Sequence, residues 1–255
     1  MSESIVYNID CMEYMRTLPD KAFDLAIVDP PYGDGNGGSA KRFGGMFGAV
    51  YGENTRAHAA DAHERERERE RERDGAPQYN RFGGRFDRYK CIGKEADSKK
   101  IVAWDVAPKE KYFQELFRIS RDQIIWGGNY FSLPPTRCFL ILRKTNIPEN
   151  FSMAMCEYAW TSFSRNAKVF DFNMQGQPGR FHPTQKPVEL YEWILTRFAK
   201  EGDKIIDTHL GSGSSRIAAY NLGFDFVGCE IDREYYEKQE ERFAAHTAQM
   251  SLFTK

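Results

Sequence analysis

The amino-acid sequence predicts an α/β fold built on a doubly wound, mainly parallel sheet. Three strand-and-turn units carry this prediction, at Phe23–Val28, Lys204–Asp207 and Phe224–Glu230. Each is a short apolar run that ends in a polar or proline-rich turn, and helical patterns follow the second and the third. Strands that alternate with helices form parallel sheets, and such sheets bind ligands at the carboxyl ends of their strands.

Further apolar runs extend the same pattern along the chain. Runs rich in β-formers predict strands at Gln123–Trp126, Phe139–Arg143 and Tyr158–Phe163. Apolar residues at helical spacing predict helices at Met12–Leu18, Tyr112–Ile119, Val188–Phe198, Ser214–Leu222 and Arg233–Ala245.

The composition indicates one globular domain over residues 1–255, because 41% of the residues are hydrophobic. The net charge of −1 points to no polyanionic partner, so a surface for nucleic acid has to come from local clustering. Five cysteines without a C-x-x-C pair argue against a zinc site or a disulfide framework. The sequence also lacks a signal peptide and a long apolar run, so we expect a cytoplasmic protein without a membrane or metal partner.

Residues 33–100 differ from the rest of the chain, because they are rich in glycine and have little periodicity. A run of alternating Glu and Arg at 64–73 predicts a solvated, partly disordered stretch from about 60 to 76. Cations interleaved with aromatic residues suit a nucleic-acid groove, although a basic surface loop fits equally well. The candidate DNA-binding residues are Arg42, Arg81, Arg85, Arg88 and Lys90.

The sharpest chemical signal is Asp29-Pro30-Pro31-Tyr32, directly after the first predicted strand. The prolines fix the backbone and remove two donors, which leaves carbonyls that can point at an amino group. Asp29 adds an acceptor and Tyr32 a flat face for a base. These four residues suit methyl transfer to an aromatic amine without a covalent nucleophile, whereas the structural alternative is a proline turn that closes a strand.

A second signal is the glycine turn at Gly211 and Gly213, which lies between a predicted strand and a predicted helix. Such turns let the backbone approach a ligand closely. A dinucleotide fingerprint would need glycine at Arg216, so a dehydrogenase is disfavoured. Glu230, 17 residues after Gly213, suits a carboxylate that accepts hydrogen bonds from ribose hydroxyls, or a helix-capping acid.

Three motifs together resemble those of DNA amino-methyltransferases: Asp29–Tyr32, the His-Pro-Thr-Gln-Lys-Pro segment at 182–187, and Asp207–Gly213. The catalytic motif precedes the glycine motif, as in the circularly permuted β class. The resemblance implies the class I S-adenosylmethionine-dependent methyltransferase fold. It covers residues 5–32 and about 104–245, and the Thr208-His209 variant is similar to solitary enzymes of phages and prophages.

The resemblance also implies roles for single residues. Asp29, Pro30, Pro31 and Tyr32 form the site for a base flipped out of the duplex. S-adenosylmethionine is the implied cofactor, with Gly211 and Gly213 near its methionine part, Glu230 on its ribose and Asp10 on its adenine amine. Thr184 and Lys186 are expected near its carboxylate. The full set of cofactor-binding candidates is Asp10, Thr184, Lys186, Asp207, Gly211, Gly213 and Glu230.

The expected enzyme is thus an adenine-specific DNA methyltransferase that acts on N6 in double-stranded DNA of the bacterial nucleoid. Asp29 favours adenine, because cytosine N4 enzymes of this kind more often have Ser in its place. N4-cytosine methylation and a non-catalytic DNA-binding protein remain alternatives. In the expected flexible tail at 247–255, Gln249, Leu252 and Phe253 resemble a sliding-clamp peptide, so the clamp is a candidate partner.

Overall fold

The computed structural model describes residues 2–33, 106–147, 154–174 and 180–253. Apart from Gly33, the expected insert at 33–100 lies outside the described residues, and so do its alternating charge run and its five candidate DNA-binding residues. Their proposed disorder and DNA contacts stay predictions. The helices and strands below belong to the unit formed by residues 1–32 and 107–255.

The first third of this unit supplies three strands and two helices: β1 Ser4–Tyr7, α1 Cys11–Arg16, β2 Phe23–Val28, α2 Glu110–Ile119 and β3 Ser120–Trp126. A short 3-10 turn at Gly128–Tyr130 follows. The next strands are β4 Phe139–Lys144, β5 Cys156–Thr161 and β6 Lys168–Phe172. The chain continues with α3 Val188–Phe198, β7 Lys204–Asp207, α4 Ser214–Asn221, β8 Asp225–Cys229 and α5 Arg233–Phe253.

Eight strands form one sheet in the order β1-β8-β7-β2-β3-β5-β4-β6. The five strands from β1 to β3 are parallel, and only β5 runs against its neighbours. This arrangement confirms the predicted mainly parallel α/β sheet. Its register brings Tyr7 beside Cys229, Asp207 beside Gly228 and Val28 beside Ile125, so these strands end at one edge. We call it the carboxyl edge.

Both faces of the sheet are buried, as a doubly wound fold requires. Alternate residues of β2 divide between two apolar clusters: Leu25 and Ile27 pack with α3 and α4, whereas Ala26 and Val28 pack with α1 and α2. The near-continuous apolar sequence of β2 therefore reflects a central strand covered on both sides. Because β2 lies in the middle of the sheet, the segment that follows Val28 starts at the centre of the carboxyl edge.

Most predicted elements are shifted by a few residues at one end or both, and two elements differ more from the sequence prediction. Strand β6 was not predicted, because it is a partly exposed edge strand whose apolar residues alternate with Lys168 and Asp171. The predicted end of the last helix near Ala245 is wrong, since α5 continues to Phe253. No Gly or Pro interrupts that segment. Its expected flexibility stays a prediction. Within the described ranges, no helix is long and apolar enough to span a bilayer.

Candidate active site

The segment Asp29–Tyr32 leaves the carboxyl edge directly after β2 and folds back on itself. The Tyr32 hydroxyl donates a hydrogen bond of 2.8 Å to Oδ1 of Asp29. Pro30 is buried, while Asp29 and Tyr32 are partly exposed. The predicted catalytic residues therefore form one compact turn, in which Tyr32 holds the carboxylate of Asp29, three residues before it.

Tyr32 is held from its other side by the segment after β3. Gly127 has a φ of +67°, and a Cβ added there would lie 2.1 Å from Cε1 of Tyr32. The Tyr130 ring lies 4.8 Å from the Tyr32 ring, centroid to centroid, and the Phe131 ring lies at 6.2 Å. From the sequence alone, Trp126–Phe131 fits a packed strand end as well as a part of the site. The structure brings it into contact with Tyr32.

Lys186 approaches Asp29 from the loop before α3. Its ammonium pairs with Oδ2 of Asp29 and lies 3.3 Å from Oε2 of Glu157. Glu157, in β5, also pairs through Oε1 with the Lys144 ammonium at 2.5 Å. In the structure Lys186 lies against Asp29, and its expected contact with a cofactor carboxylate stays a prediction. Sequence reasoning missed Glu157 and Lys144; the only signal was an isolated acid in the apolar strand β5.

Burial and the attraction between opposite charges determine which of Lys186, Glu157 and Tyr32 are charged. Burial alone would lower the pKa of Lys186, but the charges and hydrogen bonds of Asp29 and Glu157 raise it. Burial alone would raise the pKa of Glu157, but Lys186 and Lys144 lower it to about 2. Burial, followed by the Asp29 charge, raises the pKa of Tyr32 well above its usual value. At neutral pH the lysine is therefore protonated, Glu157 is ionised and the phenol keeps its proton.

The glycine turn lies at the same edge, between β7 and α4. Gly211 and Gly213 have φ angles of +54° and +75°, which disfavour residues with a Cβ. Asp207, at the end of β7, accepts hydrogen bonds from Oγ of Ser215 at 2.6 Å and from the His209 amide at 3.0 Å. Burial raises the pKa of Asp207 to about 7, although both of these hydrogen bonds lower it. Asp207 therefore ties the turn to the first residues of α4.

Glu230 and Asp10 follow two further strands of the carboxyl edge, Glu230 directly after β8 and Asp10 in the turn between β1 and α1. The Glu230 carboxylate accepts hydrogen bonds of 2.8 Å from the amides of Gly211 and Asp232, and it is 8% exposed. It thus braces both the turn before α5 and the glycine turn, while its contact with a ribose stays a prediction. Asp10 caps α1 by accepting a 2.7 Å hydrogen bond from the Met12 amide, and it is exposed.

The segment 182–187 connects the glycine turn to Asp29. At one end, His182 packs against Tyr235 with ring centroids 4.4 Å apart, and a Cβ on Gly211 would lie 3.2 Å from its ring. At the other end, Lys186 reaches Asp29. Burial, then the charges of Lys186 and Arg180, lower the pKa of His182 to about 3. Thr184 is exposed, and its hydroxyl lies 3.2 Å from Nδ1 of His182.

Thr208 and His209 occupy positions where the resemblance leads one to expect Pro and Phe. The Thr208 hydroxyl lies 2.6 Å from the Tyr112 hydroxyl and 3.0 Å from Nδ1 of His209. Burial lowers the pKa of His209 to about 4, so the imidazole is neutral at pH 7. These contacts replace an apolar wall by a small polar network. No group of side chains suited to a metal ion occurs in the described part of the chain.

The sequence is similar to that of known DNA methyltransferases. The N6/N4 methyltransferase family model, described as DNA methylase, matches residues 94–241, more than half of the chain. The Type II methyltransferase M2.DpnII of Streptococcus pneumoniae is 24% identical, covering 96% of this chain and 91% of its own length. M2.MboI of Moraxella bovis is also 24% identical, covering 93% of this chain and 86% of its own length.

Among solved structures, PvuII DNA methyltransferase, titled as cytosine-N4-specific, has a TM-score of 0.50 and 12% identity. The match covers 95% of this chain and 87% of that protein. Such a likeness concerns the fold alone, and it agrees with the expected class I methyltransferase sheet. In this chain the Asp29 segment precedes the glycine turn, the motif order of a circular permutation. On the family match over more than half of its length, the chain belongs to the DNA methylase family.

Proposed function

We propose that this DNA methylase transfers a methyl group from S-adenosylmethionine to the N6 amine of an adenine flipped out of duplex DNA. The observation that carries the proposal is the Asp29 carboxylate, held by Tyr32 on one oxygen and by Lys186 on the other. It lies at the carboxyl edge that also bears the glycine turn and Glu230. In open α/β sheets this edge is where ligands bind.

The residues at the glycine turn fit the cofactor. A Cβ at Gly211 would meet His182 at 3.2 Å and one at Gly213 would meet Gln239 at 3.2 Å, so the tight turn depends on glycine at both positions. Glu230 and Asp10 are acceptors at the ends of neighbouring strands, suited to ribose hydroxyls and to the adenine amine. When bound, S-adenosylmethionine supplies a methyl group made electrophilic by its sulfonium. Asp207 closes the turn through its hydrogen bonds from Ser215 and the His209 amide, and Thr184 contacts His182, which packs near Gly211.

The Asp29 segment supplies what a poorly nucleophilic amine needs. The amine lone pair is delocalised into the base, and acceptors on its two hydrogens favour the pyramidal form in which the lone pair is free. Asp29 and the Pro30 carbonyl are such acceptors, and Pro31 keeps the turn rigid. The nitrogen gains a methyl group and releases one proton, for which Asp29 is the acceptor offered here. Much of the rate comes from alignment of the two reacting atoms.

Adenine is favoured over cytosine because Asp29 stands where N4 enzymes of this kind more often have Ser. The same fold serves a cytosine-N4-specific enzyme, so the nucleoside product has to be identified directly. Because a duplex hides the amine, the target base has to leave the stack. The exposed part of the Tyr32 ring offers it a surface. Binding of a sliding clamp through Gln249, Leu252 and Phe253 stays a separate prediction, tested by deleting residues 249–255.

The test uses the full chain, labelled S-adenosylmethionine and unmethylated duplex DNA, followed by nucleoside analysis by mass spectrometry. We expect N6-methyladenine from the wild type and none from Asp29→Asn. Asp24→Asn is a matched control, because Asp24 lies at the opposite end of β2 and contacts Lys204 and Arg121. This control should transfer at the wild-type rate. Detection of N4-methylcytosine would show that the target base is cytosine and not adenine. Cofactor binding without any methylated nucleoside would refute DNA as the substrate.

A further inference from the structure

A row of five side chains leads from the candidate base site to the strands β5 and β4. Tyr32 donates to Asp29, Asp29 pairs with Lys186, Lys186 pairs with Glu157, and Glu157 pairs with Lys144. Only Asp29 and Tyr32 belong to the catalytic segment. The inner three come from the loop before α3 and from strands β5 and β4. Charges alternate along the row from Asp29 to Lys144, so each charged member has an opposite charge beside it.

The Lys186 ammonium is the centre of the row, and its surroundings leave it little freedom. The side chain is 3% exposed, its nitrogen contacts two carboxylates, and it lies 5.0 Å from the centroid of the Trp126 ring. A lysine has three N–H donors, and a buried ammonium is stable only when it is paired. Two carboxylates and one aromatic face account for those donors. Lys186 is therefore engaged with Asp29 and Glu157, and its expected place near a cofactor carboxylate stays a prediction.

Glu157 is rigidly placed by the sheet. It lies in β5 opposite Leu142 of β4, and the Lys144 amide continues this pairing by donating to the Met155 carbonyl at 2.8 Å. Its two carboxylate oxygens are shared between Lys144 and Lys186. A group built on paired strands holds its position more accurately than one on a loop. Lys186, by contrast, lies on a loop and depends on its partners for its position.

We propose that Glu157 is a positioning residue: it holds the Lys186 ammonium against Asp29, and Lys144 in turn holds Glu157. This inference rests on the proposed methyl transfer at Asp29. Without Glu157, the ammonium keeps one carboxylate and can rotate about it, which shifts the oxygen that the target amine needs. A displacement of about 1 Å at a reacting group costs up to roughly 10²-fold in rate.

The first experiment separates transfer from cofactor binding. Glu157→Gln keeps the shape of the side chain and removes its charge, and we expect kcat to fall by about 10- to 100-fold. The Kd for S-adenosylhomocysteine, measured by calorimetry, should change by less than about twofold, because Glu157 is not among the cofactor-binding candidates. Asp171→Asn is the control, since Asp171 pairs with Arg143 on an exposed part of the same sheet. A wild-type kcat for E157Q would overturn the proposal.

Lys144 provides a coupling test. Lys144→Gln alone should lower kcat, whereas Lys144→Arg, which keeps the charge, should restore most of it. In an E157Q background, Lys144→Gln should have no additional effect, because Lys144 acts through Glu157. If the effects of the two substitutions on kcat were fully additive, Lys144 and Glu157 would act independently, which would contradict the proposal that Lys144 acts through Glu157.

A second readout does not depend on activity. In 15N-labelled protein, an ammonium with three partners exchanges its protons slowly enough to give an NMR signal at low temperature, and Lys186→Arg identifies which signal is Lys186. We expect the signal in the wild type and in D171N, and its loss in E157Q. Its absence from the wild type, or its persistence in E157Q, would refute the proposed contacts. If the wild type shows this signal but methylates no DNA, the proposed function fails while the positioning role of Glu157 survives.

Discussion

Gly127→Ala is the most direct test of how the site is held together. The wild-type φ of +67° costs an alanine about 1–2 kcal/mol, because its Cβ crowds the backbone in the left-handed region. The new Cβ would also lie 2.1 Å from Cε1 of Tyr32. Ordinary carbon contacts begin near roughly 3.5 Å, so the ring has to recede by about 1 Å or more.

The receding ring takes its hydroxyl away from Asp29. Their hydrogen bond is 2.8 Å long, and a further 1 Å, roughly, puts the pair beyond hydrogen-bond range. A hydrogen bond to a charged acceptor is worth about 1.5–3 kcal/mol. We therefore expect G127A to lose about 3–5 kcal/mol of unfolding free energy. We also expect its methyl transfer to fall by about 10²-fold, since Asp29 loses one of its two holders.

Gly223→Ala is the matched control for this substitution. Gly223 has a φ of +76°, but nothing lies within 4 Å of a Cβ added there. It should lose only the backbone cost of about 1–2 kcal/mol and keep wild-type activity. Urea unfolding and steady-state transfer assays measure both quantities. If G127A is no less stable than G223A and transfers methyl groups at the wild-type rate, then Tyr32 does not depend on this close approach.

Two further predictions concern groups whose pKa is shifted by burial. Burial raises the pKa of Asp207 to about 7, so the folded protein keeps this proton at pH values where the unfolded chain has already released it. Asp207 therefore makes the wild type less stable as pH rises from about 4 to 7. Asp207→Asn should therefore gain stability relative to the wild type across that range in urea titrations, and a constant difference would contradict the buried proton. The pKa of His209 is about 4, so it is already neutral at pH 6 and should not act as a proton switch near pH 6.5. His209→Asn should lower transfer by less than about tenfold, below the 10²–10⁴-fold contribution of a general base, and a larger loss in kcat with an altered pH profile would assign it a catalytic role.

The central fold could be predicted because its elements carry strong local signals. The helix Val188–Phe198 and the strand Phe23–Val28 have the predicted boundaries, since their apolar residues repeat without interruption between proline or polar stops. The ends of β2, β7 and β8 likewise follow from short apolar runs that stop at polar turns. Parallel pairing then brings these ends to one edge, so the neighbourhood of Asp29, Gly211 and Glu230 follows from sequence alone.

The inner part of the site could not be predicted, because it depends on pairing between distant strands. Glu157 has no local feature that distinguishes it from a surface acid of an edge strand. Its importance appears only when β5 lies beside β3 and Lys186 arrives from another loop. The role of Lys186 was inferred from its motif alone, and the motif does not reveal which charges surround the amine. A buried ion pair is a property of three-dimensional packing.

The position of β2 also has a consequence for how the protein is made. This strand leaves the ribosome well before its two neighbours in the sheet, which are β3, about 100 residues later, and β7, about 180 residues later. Until β7 emerges, the most apolar strand of the sheet has an unpaired edge, which is a site for aggregation. Nascent chains truncated before Lys204 should accordingly need chaperones more than chains that include β7 do.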